Sequence, residues 1–204
     1  MYMTATIESG FTPAGFYAHG DYMERLCKST PIVCENLIIK HHKVYMDCAY
    51  NLHFSDKIIG FYAPLYAYSP YDIYHWLEFI CGDFSKAYFL LDEEGPEIMM
   101  RCEKRSNYGP YVRLSILAPE EKYFDEQSQK FQYNKEIEKI FHSTKETQVI
   151  ADYLVKKEDL ITGFLRETDN FLKSLTKNDW DIEGPIRKPA IPHVRKFLKE
   201  IKKR

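Results

Sequence analysis

Three apolar runs, at residues 86–91, 97–103 and 111–117, are separated by connections long enough only for a turn. The first connection is Asp92-Glu93-Glu94-Gly95-Pro96, where Gly95 can take a positive φ. The second is Ser106-Asn107-Tyr108-Gly109-Pro110. Parallel neighbours need a crossover of a dozen or more residues, so runs this close pair antiparallel. A three-stranded meander is therefore the piece of topology that any fold of this chain must contain.

The flanking sequence adds elements to that meander. Residues 34–39 and 43–54 read as strands. In the second, Val44, Met46, Cys48, Tyr50 and Leu52 alternate with Tyr45, Asp47, Ala49, Asn51 and His53, the period of a strand with one buried side. Residues 58–66 read as a third strand, weakened at its end by Pro64. Ser69-Pro70-Tyr71-Asp72 is a helix start: Ser69 caps, Pro70 needs no donor at the first position, and Asp72 suits the dipole. Ile73, Trp76, Leu77 and Ile80 then share one side, and Gly82 ends the helix. Residues 148–155 read as a strand, and 158–176 as the strongest helix. Its stripe is Leu160, Ile161, Phe164, Leu165, Phe171, Leu172 and Leu175. Gly163 is expected to weaken that helix by roughly 1 kcal/mol against Ala. Short helices are expected at 21–28 and 133–142, and a polar loop at 119–130.

The expected class is α+β: an antiparallel sheet of about five or six strands, with two main helices packed on one face. Residues 1–180 form one domain. Residues 181–204 form a Pro- and Gly-rich linker and a basic C-terminal helix, with Val194, Phe197, Leu198 and Ile201 on its apolar side.

Charge is divided unevenly. The net is −2, yet Arg187 to Arg204 holds eight basic residues and one acid, Glu200. The first 186 residues hold 20 basic and 29 acidic residues, a net of −9. An acidic body repels nucleic acid and attracts basic partners. The tail bases read as the solvated side of a terminal helix, so nucleic acid is not the expected partner.

Five cysteines, Cys27, Cys34, Cys48, Cys81 and Cys102, show no C-x-x-C spacing. They read as reduced core thiols rather than disulfides or a zinc site. Residues 1–20 lack the pattern of a signal peptide, and no run reaches the length of a membrane span, so the expected location is the cytoplasm.

Phosphate-loop, dinucleotide, zinc-protease, nucleophile-elbow and kinase motifs are all absent. His41 and His42 with Asp47 and His53 suggest a metal site, but adjacent strand residues diverge, so neither metal nor cofactor is expected. The densest anomaly is aromatic: Tyr62, Tyr66, Tyr68, Tyr71 and Tyr74 crowd into thirteen positions. Tyrosine is enriched at binding surfaces. These five residues and the acidic Asp92, Glu93 and Glu94 are the candidate partner-binding set, with no catalytic residue named.

Ser69-Pro70-Tyr71-Asp72-Ile73-Tyr74-His75-Trp76-Leu77-Glu78, then Leu91-Asp92-Glu93-Glu94-Gly95, then Val112-Arg113-Leu114-Ser115-Ile116 resembles the layout of small bacterial α+β immunity and antitoxin proteins. The resemblance spans about residues 69–180 and rests on structural motifs, with no catalytic residue to carry over. It implies a protein-binding role, in which a toxin is neutralised by covering its surface. Two alternatives stay open. One is an enzyme with a dispersed site drawing on His41, His53, His75 or His142 with carboxylates. The other is a nucleic-acid adaptor acting through Arg187 to Arg204.

Overall fold

The computed structural model describes residues 5–6, 29–44, 47–63, 69–82, 86–90, 99–119, 123–125, 130–132, 147–176 and 189–203. The expected helices at 21–28 and 133–142 lie outside them.

In chain order the elements are β1 (Ala5–Thr6), β2 (Ile32–Cys34), β3 (Ile38–Val44), β4 (Asp47–His53), β5 (Ile58–Ala63), α1 (Ser69–Cys81), β6 (Lys86–Leu90) and β7 (Met99–Glu103). They continue with β8 (Tyr111–Pro119), β9 (Tyr123–Asp125), β10 (Lys130–Gln132), β11 (Thr147–Lys156), α2 (Lys157–Ser174) and α3 (Pro192–Ile201). The class is α+β, as expected. The meander is present as β6–β7–β8, antiparallel throughout. It sits inside a six-stranded sheet of order β1-β6-β7-β8-β11-β2.

Two details differ from the sequence reading. The sheet is mixed, because β2 runs parallel to β11. The apolar run at 34–39 is broken, so that Cys34 closes β2 while Ile38 opens β3. Strands β3, β4 and β5 then pair only with one another, as a separate antiparallel sheet. In addition, the polar stretch expected as a loop contains β9, which pairs with β10.

The core is a stack running from one sheet to the other through both helices. Phe89 of β6 meets Trp76 of α1 at 5.7 Å, and Trp76 meets Phe164 of α2 edge-on at 5.6 Å. Phe164 meets Tyr50 of β4 at 5.6 Å. Ile73, Trp76, Leu77, Ile80, Leu160, Phe164 and Phe171 are all buried, as their helical spacing requires. The connection between β4 and β5 also reaches the six-stranded sheet, where Phe54 stacks on Tyr153 of β11 at 4.3 Å.

Gly163 has a different role from the one its propensity suggests. A Cβ there would meet Ile39 Cδ1, Cγ1 and Cβ at 3.0, 3.2 and 3.3 Å. The glycine is what lets α2 lie against β3.

The ends of α1 and α2 are chemically matched to the dipole. The Gly82 N–H donates to the Glu78 and Phe79 carbonyls, and Lys104 Nζ donates to the Gly82 carbonyl. Glu158 and Asp159 occupy the first turn of α2 and Lys173 its last.

Candidate functional site

The candidate set from the sequence does not assemble as one surface among the described residues. Tyr66, Tyr68, Asp92, Glu93 and Glu94 lie outside them. Tyr62 is placed as a backbone position in β5 opposite Ala49, and Tyr71 as a position in α1. Tyr74 is a correction: it is fully buried, and its hydroxyl donates to Asp169 of α2. Burial, with that carboxylate beside it, pushes the phenol well above its usual range. Tyr74 staples α1 to α2 and cannot anchor a partner.

Among the described residues, the exposed large apolar side chains lie elsewhere. Ile32 is 57% exposed, Val33 49% and Ile38 50%. All three fall within seven residues, at the break between β2 and β3. β2 is the edge strand of the six-stranded sheet among the described residues. Ile32 and Val33 are adjacent, so they project to opposite faces, and both are uncovered. The sequence carried a faint signal of this. Reading 34–39 as one strand hid the break at residues 35–37, which leaves Ile38 outside while Leu37 and Ile39 go inside.

A second polar constellation occupies the face of the six-stranded sheet opposite the helices. Arg101, Ser115 and Asp152 stand directly opposite one another across β7, β8 and β11, and Glu103 stands opposite Arg113. Directly opposed residues share a face. Arg101 is only 1% exposed and Arg113 5%, with Glu103 and Ser115 also buried. Arg113 makes a bidentate pair with Asp152, at 2.7 Å from Nε and 2.6 Å from Nη2. Ser115 and Ser29 hydroxyls donate to the same carboxylate at 3.0 and 2.8 Å. Burial alone would raise the Asp152 carboxyl, but these hydrogen bonds and the Arg113 charge outweigh it and hold it below the usual carboxylate range. Glu103 bridges Arg101 at 3.1 Å and Arg105 at 2.7 Å. The Arg113–Asp152 part of this arrangement is satisfied from within, which makes it a scaffold. Arg101 Nε and Nη1 and Glu103 Oε2, by contrast, are buried without a hydrogen-bond partner among the described residues.

The histidines lie within β3 and separate as strand geometry demands. His41 lies opposite Tyr50 and His42 opposite Ala49, on the two faces. His41 Nδ1 lies 2.7 Å from Glu167 Oε2, and its backbone N–H donates to the same oxygen. Arg166 Nε donates to Glu167 Oε1 at 2.6 Å. Burial acts to raise the Glu167 carboxyl, and the hydrogen bonds from His41 and Arg166 turn the net shift downward. Nearby, Tyr50 and Thr168 share a buried hydroxyl pair at 2.8 Å. A histidine oriented by a carboxylate can serve as a general base. Here the Phe171 ring stands edge-on to the imidazole, with ring centroids 6.2 Å apart, and the His41–Glu167 pair clamps β3 to α2.

Cys34, Cys48 and Cys102 are buried and Cys81 is partly buried. Burial pushes the Cys81 and Cys102 thiols up to about 12, so neither is a ready nucleophile. Among the described residues, no group of three His, Cys, Asp or Glu side chains could hold a metal. No helix among them is long and apolar enough to cross a membrane.

No family model matches the chain, and no curated protein or solved structure matches it. The class is α+β: among the described residues a six-stranded mixed sheet and a three-stranded antiparallel sheet enclose helices, beside the β9–β10 pair. The exposed large apolar side chains among those residues gather at a sheet edge.

Proposed function

We propose that this chain is a non-enzymatic protein-binding protein of the immunity or antitoxin kind, which neutralises a toxin by covering part of its surface. The observation that carries this reading is the bare apolar corner made by Ile32 and Val33 on the edge strand β2 and Ile38 at the start of β3. An edge strand with uncovered apolar side chains is a template for another chain, and proteins that do not use such an edge blunt it with charge. The occupant is an extended segment of a basic partner, added as a strand beside β2. Its basic character follows from the net of −9 in the first 186 residues, a charge that steers positively charged partners into encounter.

The test uses the product of the gene neighbouring this one, expressed alone and with this chain. The expected result is growth arrest relieved by the wild-type chain and not by Val33→Lys/Ile38→Lys, with a 1:1 complex lost in the same variant. Both positions are half exposed, so the variant keeps its fold, which far-ultraviolet circular dichroism checks. Equal rescue by variant and wild type would remove the β2 edge from the interface. A neighbour that forms no complex would remove the immunity reading.

A further inference from the structure

The C-terminal helix α3 is docked on the body, and only one side of it is used for docking. Val194 and Ile191 are buried in the core, and Phe197 lies with its ring 4.8 Å from Lys157 Nζ. Glu78 of α1 holds the helix start. Its carboxylate accepts from the backbone N–H groups of His193 at 2.7 Å and Val194 at 3.1 Å, and meets His193 Nδ1 at 2.6 Å. Two orphan donors of the first turn and the positive end of the dipole are thus satisfied by one side chain.

The other side of α3 faces a groove of about 570 Å³, walled by Arg195, Lys196, Lys199 and Lys203 with Ile191 and Pro192 at its head. Arg195, Lys199 and Lys203 recur every four residues, which sets them about 6 Å apart along the axis. Glu200 is the one acid in the groove. Lys199 lies in the last turn of α3, where the dipole favours it, but Arg195 and Lys196 are not there to steady the helix. Its dipole favours cations only in the last turn. Arg195 and Lys196 sit at the start of α3, where the dipole opposes them and where no acid is present on the helix itself.

We propose that this groove binds a chain of phosphate groups, such as the phosphodiester backbone of a single-stranded nucleic acid. A line of cations one turn apart on a fixed helix matches a linear polyanion, since each cation can neutralise one charge and release its counterions. The one benzene ring on α3, Phe197, is turned towards the body, and the His193 imidazole is engaged by Glu78, so contacts go to phosphates rather than stacked bases and carry no sequence preference. The sequence alone reads these bases as a solvated helix side. Docking through Glu78, Ile191 and Val194 fixes that side as an open basic face. The inference rests on α3 and is independent of the β2 edge.

The test is fluorescence anisotropy of a labelled oligothymidylate on the full chain over a range of salt. Three to four phosphate contacts predict a slope of log affinity on log salt of about −2 to −3. Lys196→Ala/Lys199→Ala/Lys203→Ala should weaken binding at least about tenfold and bring the slope towards about −1. Glu200→Gln should tighten binding, because it removes the only like-signed charge beside the ligand. Inorganic tripolyphosphate is then added as competitor. Full displacement assigns a small polyphosphate as the ligand, whereas weak displacement assigns the longer backbone, and either supports a phosphate site. No binding at low salt would overturn the proposal. So would a triple variant with unchanged affinity and slope, or a Glu200→Gln variant that binds no tighter.

Discussion

On one side of the six-stranded sheet, Leu114 and Phe89 are shut away from solvent among hydrocarbon side chains and the Trp76 ring. On the other side, Arg113 and Ser115 are shut away just as completely, among charges. The two faces of the same strands thus reach one degree of burial by different physics. The apolar face is stabilised by area removed from water and by packing, so a loss scales with the volume deleted. The charged face carries the cost of desolvating its ions and offsets it only when every partner is in place. One face should tolerate conservative change and punish cavities. The other should punish single deletions and tolerate joint ones.

The largest expected effect is on the apolar side. Trp76→Ala removes the middle of the Phe89–Trp76–Phe164–Tyr50 stack and should cost about 3–5 kcal/mol in denaturant unfolding. A change within about 0.5 kcal/mol would show that the stack contributes little. Asp152→Ala should cost about 3 kcal/mol, because it strands Arg113 in a site only 5% exposed. The same pair should give the charged face a pH signature. Asp152 is held below its ordinary value of 3.8, so its contribution is complete above that value and is lost as pH falls through the lower, folded one. Glu167, lowered in the same sense, adds to the effect. Stability of the wild type should therefore drop below about pH 4, and less steeply in Asp152→Ala. Equal acid slopes for the two proteins would exclude Asp152 as a source.

Gly163→Ala tests the tightest point of the apolar interior. Helix propensity alone predicts a gain of about 1 kcal/mol. Contact with three Ile39 atoms, one of them the inflexible Cβ, predicts a net loss of about 1–2 kcal/mol instead. A raised melting temperature would show that β3 can yield. Ser115→Ala deletes one of the hydroxyl donors to Asp152 and should cost about 1 kcal/mol. The smallest net effect belongs to the joint replacement Arg113→Met/Asp152→Leu. It should fall within about 1 kcal/mol of wild type, well below Asp152→Ala alone. A double variant as unstable as the single one would mean that the charged face contributes more than self-satisfaction.

The sequence showed most of the apolar side. Helical and strand periods depend on neighbouring residues, so the stripes of α1 and α2 and the β6–β7–β8 meander could be read locally. What escaped reading depended on distant partners. Arg113 and Asp152 are 39 positions apart, and nothing near either says that it will be buried. Tyr74 looked like a surface tyrosine because its partner Asp169 lies 95 positions on. Gly163 looked like a weak point in a helix because Ile39, the residue that needs its space, belongs to another sheet. Splitting β2 from β3 was equally invisible: β2 is claimed by β11, and β3 by β4.

That claim on β2 has a consequence in time. As the chain leaves the ribosome, β3, β4 and β5 can pair as soon as each is made, because they follow one another through short connections. Ile32 and Val33 cannot. Their only strand neighbour among the described residues is Tyr153–Val155 of β11, synthesised more than a hundred residues later. At synthesis rates of about 5–20 residues per second, the apolar pair stays unclaimed for roughly 6–25 seconds. During that interval the nascent chain offers both edges of β2 to whatever chaperone or neighbouring polypeptide is at hand, and completion of β11 closes only one of them.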